Sequence, residues 1–325
     1  MMLNQHKTMV KERNIAIDVL KVFAVLLVMN SHMSMCYPRY SFLASGGAIG
    51  DALFFFASGF TLFLGKSMRF DNWYKRRINR IYPSILATAI FVYVVWNFSE
   101  NIGDILLGKR YWFIGCILFY YVLLYPIKEY HDGKYAYHCL ILGGVICVAI
   151  YFSFFNNGIS FYRGGIYRCF AYFLIMLQGA IMGRKMDDYR YKHIQFLFLL
   201  ISIGLWYGLF FIGKNSWLLL VSFIPLFGVT RYLYFVCCAP VFNRLYSRKY
   251  VGNALYIVSQ LCLEVYLVQK FVFTDALNHI FPWNIPVIML CVIIVAYVIK
   301  IISNFISQTF KTEPYEWGKL LLYKQ

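Results

Sequence analysis

The stretch NIAIDVLKVFAVLLVMNSH, Asn14 to His32, decides what kind of chain this is. At 1.5 Å per residue such a helix is about long enough to cross a hydrocarbon layer of ~30 Å. Its polar exceptions are few: Asp18 and Lys21 near one end, then Asn30, Ser31 and His32 at the other. Asp18 and Lys21 are three residues apart, so they share a face and are placed to pair. Lys21 and His32 are eleven apart, almost three whole turns, which sets His32 on the same stripe roughly 16 Å along the axis. One face of an otherwise apolar helix is a polar track. Ionisable groups inside a bilayer are costly unless they are paired or hydrated. Two readings fit them: an interfacial ion pair with a capping His32, or side chains that act on a substrate.

The rest of the chain repeats this texture. Of 325 residues 61% are hydrophobic and 14% charged, and the mean hydropathy is +0.62. Soluble domains carry about 25% charged residues, so this chain has too few to cover a soluble globule. Aromatics make up 20%, which suits rings at membrane interfaces. Apolar segments of spanning length are expected at 15–35, 47–66, 81–98, 111–127, 137–155, 166–183, 194–212, 216–236, 251–274 and 285–308. The fold class is therefore all-α: a polytopic integral-membrane bundle of about ten transmembrane helices. Residues 66–80 are amphipathic and are expected to lie along the interface. No connection is long enough to fold alone, so residues 1–325 read as a single membrane-embedded domain.

Charge sets the orientation. Lys+Arg exceed Asp+Glu by 31 to 14. Of the basic residues, 22 fall at the two termini or in alternate connections on one side. Only Arg39, Lys109, Arg110, Arg163 and Lys214 fall on the other. The positive-inside rule places both termini in the cytoplasm, and the excess needs no nucleic acid to explain it. The first apolar run is too long and too polar at its ends for a cleaved signal peptide. Nine cysteines, none in a Cys-x-x-Cys pair, suggest neither a disulfide framework nor a metal site.

Three further polar features stand out. Trp73-Tyr74-Lys75-Arg76-Arg77-Ile78-Asn79-Arg80 packs four cations beside aromatics. If helical, Arg77 and Arg80 project from one face, with Trp73 a turn before Arg77. Guanidinium groups grip phosphate bidentately and stack on bases, so Arg76, Arg77, Arg80 and Trp73 suit a phosphorylated nucleotide; an anchor against anionic lipid fits them equally. Gly50-Asp51 places an acid at the outer end of the second span, and Ser58-Gly59 suits close helix packing. In the ninth span Glu264, with Ser259, Tyr266 and Gln269, gives a polar lining at mid-membrane, where a carboxylate must face the bundle interior.

In order and spacing these residues resemble the integral-membrane acyltransferase family 3, which includes O-antigen and exopolysaccharide O-acetyltransferases. The resemblance rests on Asp18, Lys21 and His32; on Phe54-Phe55-x-x-Ser58-Gly59-Phe60; and on Arg77-x-x-Arg80-Ile81-x-Pro83. Tyr111-Trp112-Phe113 and Leu263-Glu264-Val265-Tyr266-Leu267-Val268-Gln269 extend it over nearly the whole chain. The first basic residue is Lys where the family usually has Arg, and Gln269 stands where the late segment often ends in His.

The resemblance implies a multi-pass enzyme of the bacterial inner membrane. It would move an acyl group, usually acetyl, from cytoplasmic acyl-CoA (acetyl-CoA) to a sugar hydroxyl of a surface or secreted polysaccharide. The family's basic residue and His of the first helix would fall on Lys21 and His32, and its cytoplasmic Arg pair on Arg77 and Arg80. Joined with the residues read above, the catalytic candidates are His32, Lys21, Asp18 and Glu264, and the donor-binding candidates are Arg77, Arg80, Arg76 and Trp73. His32 would act as general base or transient acyl carrier, Lys21 would steady charge on the donor, and Asp18 would orient Lys21. Its partners would be membrane lipid and a carbohydrate acceptor, with no metal and no nucleic acid. The competing class is a transporter, flippase or polymerase for lipid-linked glycans, which also has many spans and intramembrane charges.

Overall fold

The computed structural model describes residues 13–65, 67–98, 104, 111–154, 165–185, 189–212, 221–309 and 313–324. The basic residues Lys7, Lys11, Lys66, Lys109, Arg110, Arg163, Lys214 and Lys311, used above to set orientation, lie outside them. Every regular element among the described residues is helical. The α-helices are α1 (Ile15–His32), α2 (Gly47–Leu62), α3 (Phe70–Trp96), α4 (Trp112–Glu129), α5 (Ala136–Phe154) and α6 (Gly165–Arg184). They continue with α7 (His193–Ile212), α8 (Phe223–Cys237), α9 (Pro240–Ser247), α10 (Lys249–Gln260), α11 (Cys262–Val272) and α12 (Asn284–Thr309).

By length and apolarity α1, α3, α4, α5, α7, α12 and the segment Ser41–Leu62 that contains α2 can cross a membrane. The pairs α8 with α9 and α10 with α11 bring the number to nine if each counts as one span. The chain is thus an all-helical, multi-pass membrane protein with seven to nine such spans among the described residues. Helix α6 has the length, 20 residues, but Arg168, Gln178 and Arg184 dilute its apolar character. Outward-facing residues of α5 and α7, such as Leu142, Phe152, Leu200 and Ile201, are exposed and apolar. In water that surface would aggregate; facing lipid it needs no cover.

Two expected elements change shape. The expected interfacial segment 66–80 and the third span are not separate: residues 70–96 form one helix, α3, that runs through Pro83. At 27 residues it is about 40 Å long, longer than a bilayer core, so its basic first turns extend beyond the apolar layer. The ninth span is not one rod, because α10 and α11 bend by 80° at Leu261. The break puts Glu264 in the first turn of a new helix rather than midway along a continuous one.

Packing follows from small residues. A Cβ on Gly59 would lie 1.8 Å from the Met176 carbonyl oxygen. A Cβ on Gly179 or Gly183 would lie 2.1 or 2.2 Å from the carbonyls of Phe56 and Phe60. Helices α2 and α6 therefore touch backbone to backbone, as small residues four apart allow between helices in lipid. Helix α1 runs against α2, α8, α10 and α11, with Leu20, Ala24, Val25 and Met29 buried. On the far side of α11, helices α3 and α12 complete the bundle.

Candidate active site

Helix α1 begins where Asn14 caps it, its side chain accepting from the Ile17 amide at 3.1 Å. That fixes the register of the polar stripe. Asp18 is 3% exposed, and its carboxylate is already satisfied: it accepts from Arg13 Nε and Nη2 and, at 2.9 Å, from the Tyr246 hydroxyl of α9. Arg13 also lies 4.4 Å over the Tyr256 ring. The expected Asp18–Lys21 pair is therefore not formed. A planar guanidinium in a bidentate grip outcompetes a single ammonium for the same carboxylate. Lys21 makes no ion pair or hydrogen bond among the described residues.

Lys21 instead faces open space. With Arg13, Asp18, Arg80 and Gln260 it lines a cavity of about 290 Å³ at the mouth of the bundle. With Arg80 it also lines a second, inner cavity of about 130 Å³. The inner cavity is walled by Phe54, Ile81, Phe113, Ile114 and Ile117, with Ser58, Cys262 and Tyr266 among its few polar groups. A third, outer cavity of about 450 Å³ is lined by His32, Asp51, Trp112, Arg168, Trp206 and Tyr207, among others. These cavities adjoin: Lys21, Thr61 and Arg80 belong to both mouth and inner cavities, and Tyr266 to both inner and outer ones.

The polar end of α1 divides its work. Asn30 donates to the carbonyls of Leu43 and Ser45 at 2.7 and 3.1 Å and accepts from Tyr37 at 2.6 Å, holding down the loop between α1 and α2. Ser31 bonds back to the Val28 carbonyl. The helix end itself is closed by the Met33 amide on the Asn30 carbonyl. His32 takes no part in the cap. Its side chain makes no hydrogen bond among the described residues and lines the outer cavity.

The basic cluster also separates. Arg80 reaches the cavities. Arg77 lies 5.2 Å over the Trp73 ring and 5.8 Å over that of Tyr121, its Nε buried without a hydrogen-bond partner among the described residues. Tyr121 in turn shares a 3.0 Å hydrogen bond with Ser58, so Arg77 backs the wall of the inner cavity. Arg76 is exposed and lines none of the three cavities. Trp73 is 2% exposed, its ring packed on Tyr121 and Tyr125 and beneath Arg77. It is a support for Arg77 rather than a ring free to stack on a base.

Glu264 departs furthest from expectation. It is 1% exposed and accepts from Ser84 at 2.6 Å and Lys300 at 2.9 Å, while Ser84 shares a 3.0 Å hydrogen bond with Ser303. The network ties α11 to α3 and α12, and Glu264 lines none of the three cavities. Gln269, a turn and a half further on, is 1% exposed, with both amide atoms buried and unpartnered among the described residues.

Three residues at the cavities carry more weight here than in the sequence reading. Arg13 had counted only toward orientation. Asp51 and Arg168 line the outer cavity with His32, and the Arg168 guanidinium lies 3.9 Å over the Trp112 ring. Asp51 was visible as an acid inside an apolar run; Arg168 needed the fold to bring α6 beside α4. No group of three or more His, Cys, Asp or Glu is placed to hold a metal ion among the described residues.

A cationic mouth, a smaller and mostly apolar inner cavity and an outer chamber with an open imidazole suit a charged carrier at one end and reaction of its cargo at the other. The acyltransferase 3 family, described as an acyltransferase domain, matches residues 14–302. The chain belongs to this family. The match starts at the Asn14 cap of α1 and ends within α12, so it takes in the lining of the inner and outer cavities and all of the mouth cavity's lining except Arg13. The protein is thus a membrane acyltransferase. No curated protein and no solved structure matches the chain.

Proposed function

We propose that this acyltransferase moves an acetyl group from cytoplasmic acetyl-CoA to a sugar hydroxyl of a surface or secreted polysaccharide, in a bacterial inner membrane. In this reading the single domain crosses the membrane ten times, α6 being the tenth crossing, with both termini cytoplasmic. The observation that carries it is the sharing of Lys21, Thr61, Arg80 and Tyr266 between adjoining cavities. It supports a donor whose phosphates stay at the mouth while its arm reaches toward His32, a distance of roughly 16 Å along α1.

Arg13, Lys21 and Arg80 would meet the donor's phosphates, and Arg77 would hold the wall behind them. The acceptor hydroxyl enters the outer chamber, where His32 takes its proton. The oxygen attacks the thioester carbonyl carbon, a C–O bond forms, the C–S bond breaks, and coenzyme A leaves as the thiol after proton return. Asp51 and Arg168 would orient the sugar, and the aromatic side chains of the chamber would stack on its ring faces.

The test uses protein reconstituted in vesicles with acetyl-CoA on the side of the termini. Thiol release that depends on added glycan, with acetyl recovered on the glycan by NMR, is the expected result. No thiol release, together with unchanged polysaccharide acetylation in a deletion strain, would overturn the assignment. Accumulation of unprocessed lipid-linked glycan in that strain would favour a flippase or polymerase instead.

A further inference from the structure

Helices α4 and α6 meet beside the inner cavity, whose wall takes Ile114 and Ile117 from α4. Cys116 Sγ and Cys169 Sγ are 3.1 Å apart there, both half-buried and both free thiols. Either side of this contact is anchored. One turn earlier on α4, Trp112 lies under Arg168, the residue before Cys169, at 3.9 Å. One turn later, the Tyr120 hydroxyl donates to the Cys169 carbonyl. A disulfide bond is about 2.05 Å long, so closing this pair asks for a shift of about 1 Å between helices already in register.

Depth matters as much as distance. Cys116 and Cys169 are each the fifth residue of their helices, about 6 Å from the ends that border the outer cavity. In the orientation proposed above, on which this inference rests, that end faces the oxidising compartment, where disulfides form and persist.

We infer that Cys116 and Cys169 are a modification site: a disulfide between them clamps α4 to α6 and fixes the Arg168–Trp112 wall of the outer cavity. The oxidant is a protein of the thiol–disulfide exchange class. One cysteine attacks the oxidant's disulfide, forming a mixed disulfide and releasing one oxidant thiol. The second cysteine then attacks the mixed disulfide. The Cys116–Cys169 bond forms, and the oxidant leaves as a dithiol carrying both electrons and both protons. The clamp adds a covalent tie to a wall in which the Arg168–Trp112 cation–π contact, the Tyr120–Cys169 hydrogen bond and the Trp112–Tyr172 and Tyr120–Phe173 ring contacts also join the two helices.

Mass spectrometry of the full-length chain decides it without any variant. Membranes are treated with N-ethylmaleimide before solubilisation, so that free thiols are capped in place. The expected product is a peptide linking Cys116 to Cys169, lost on reduction and lost in cells lacking the thiol oxidase. Dithiothreitol is expected to lower transfer by the wild type several-fold and to leave Cys116→Ser/Cys169→Ser at the same level with or without it. Recovery of both cysteines fully alkylated before reduction would overturn the clamp. Topology mapping separates the causes. Free cysteines with His32 facing outward defeat the clamp alone, whereas free cysteines with His32 facing the cytoplasm defeat the orientation as well.

Discussion

Lys21 of α1 and Arg80 of α3 line the same two cavities, one charged and one apolar, and so stand together at the threshold between them. Neither a single helix nor a sequence motif makes that pairing; it comes from α1 and α3 flanking the same space. Both cations face anything that passes from the mouth inward. Lys21→Arg is expected to keep most activity, because charge is retained, and Lys21→Met to lose ten-fold or more. Arg80→Gln should raise the KM for acetyl-CoA more than it lowers kcat, and added salt should mimic it, since contacts open to solvent are screened over about 8–10 Å. Steady-state thiol release at several salt concentrations reads both effects.

His32→Ala is expected to reduce transfer at least 100-fold, in the range of a lost general base, while the protein inserts and accumulates normally. The loop between α1 and α2 is held by Asn30 and not by His32, so the variant should unfold at the wild-type temperature. Glycan acetylation by NMR, normalised to protein in the membrane, is the measurement. Full acetylation in the variant would return His32 to the role of a surface residue.

Asp18 and Arg13 are expected to behave as a unit. Asp18→Asn weakens the grip on Arg13 and on the Tyr246 hydroxyl, for a loss of about 1–3 kcal/mol of stability. Arg13→Gln should cost less on its own, because its side chain is partly exposed. The double variant should fall short of the sum, which thermal unfolding in detergent can resolve. Donor KM should rise in each, since both residues line the mouth cavity.

Glu264 offers the opposite profile. Glu264→Leu leaves Lys300 without its partner and should destabilise by about 3–5 kcal/mol. Glu264→Leu/Lys300→Met should recover most of that, since replacing both members of a buried pair is often near neutral. Activity per folded molecule should change less than about three-fold in the double variant. A catalytic Glu264 would instead leave the double variant stable and inactive.

Membrane class, helical content and the polar stripe of α1 were legible because hydrophobic length and the 3.6-residue repeat are local properties. The close α2–α6 seam was half legible: Gly59 marked one side, and only the fold brought Gly179 and Gly183 to face it. The partners of Asp18 and Glu264 were not legible. Each carboxylate had a basic residue on its own helix, Lys21 and Lys270, yet Asp18 is taken by Arg13, which precedes the helix, and Glu264 by Lys300 of α12. Guanidinium geometry decided the first choice and helix adjacency the second. The bend at Leu261 was hidden too, since α10 and α11 together have the length and apolarity of a single span.

The apolar walls of the inner cavity have a consequence for the cell as well as for the reaction. In the function proposed above, a chamber that passes a cargo between compartments is also a potential leak. Each elementary charge crossing a 100 mV potential releases about 2.3 kcal/mol, so even slow ion flow would drain the gradient. Phe54, Ile81, Phe113, Ile114 and Ile117 give the inner cavity a mostly apolar lining, which offers an ion few ligands in place of its water. Lys21 and Arg80 repel cations at its entrance. On the reading proposed above, the apolar lining and the cationic entrance together oppose cation flow, and enlarging the cavity at Ile114 or Ile117 is expected to weaken that barrier.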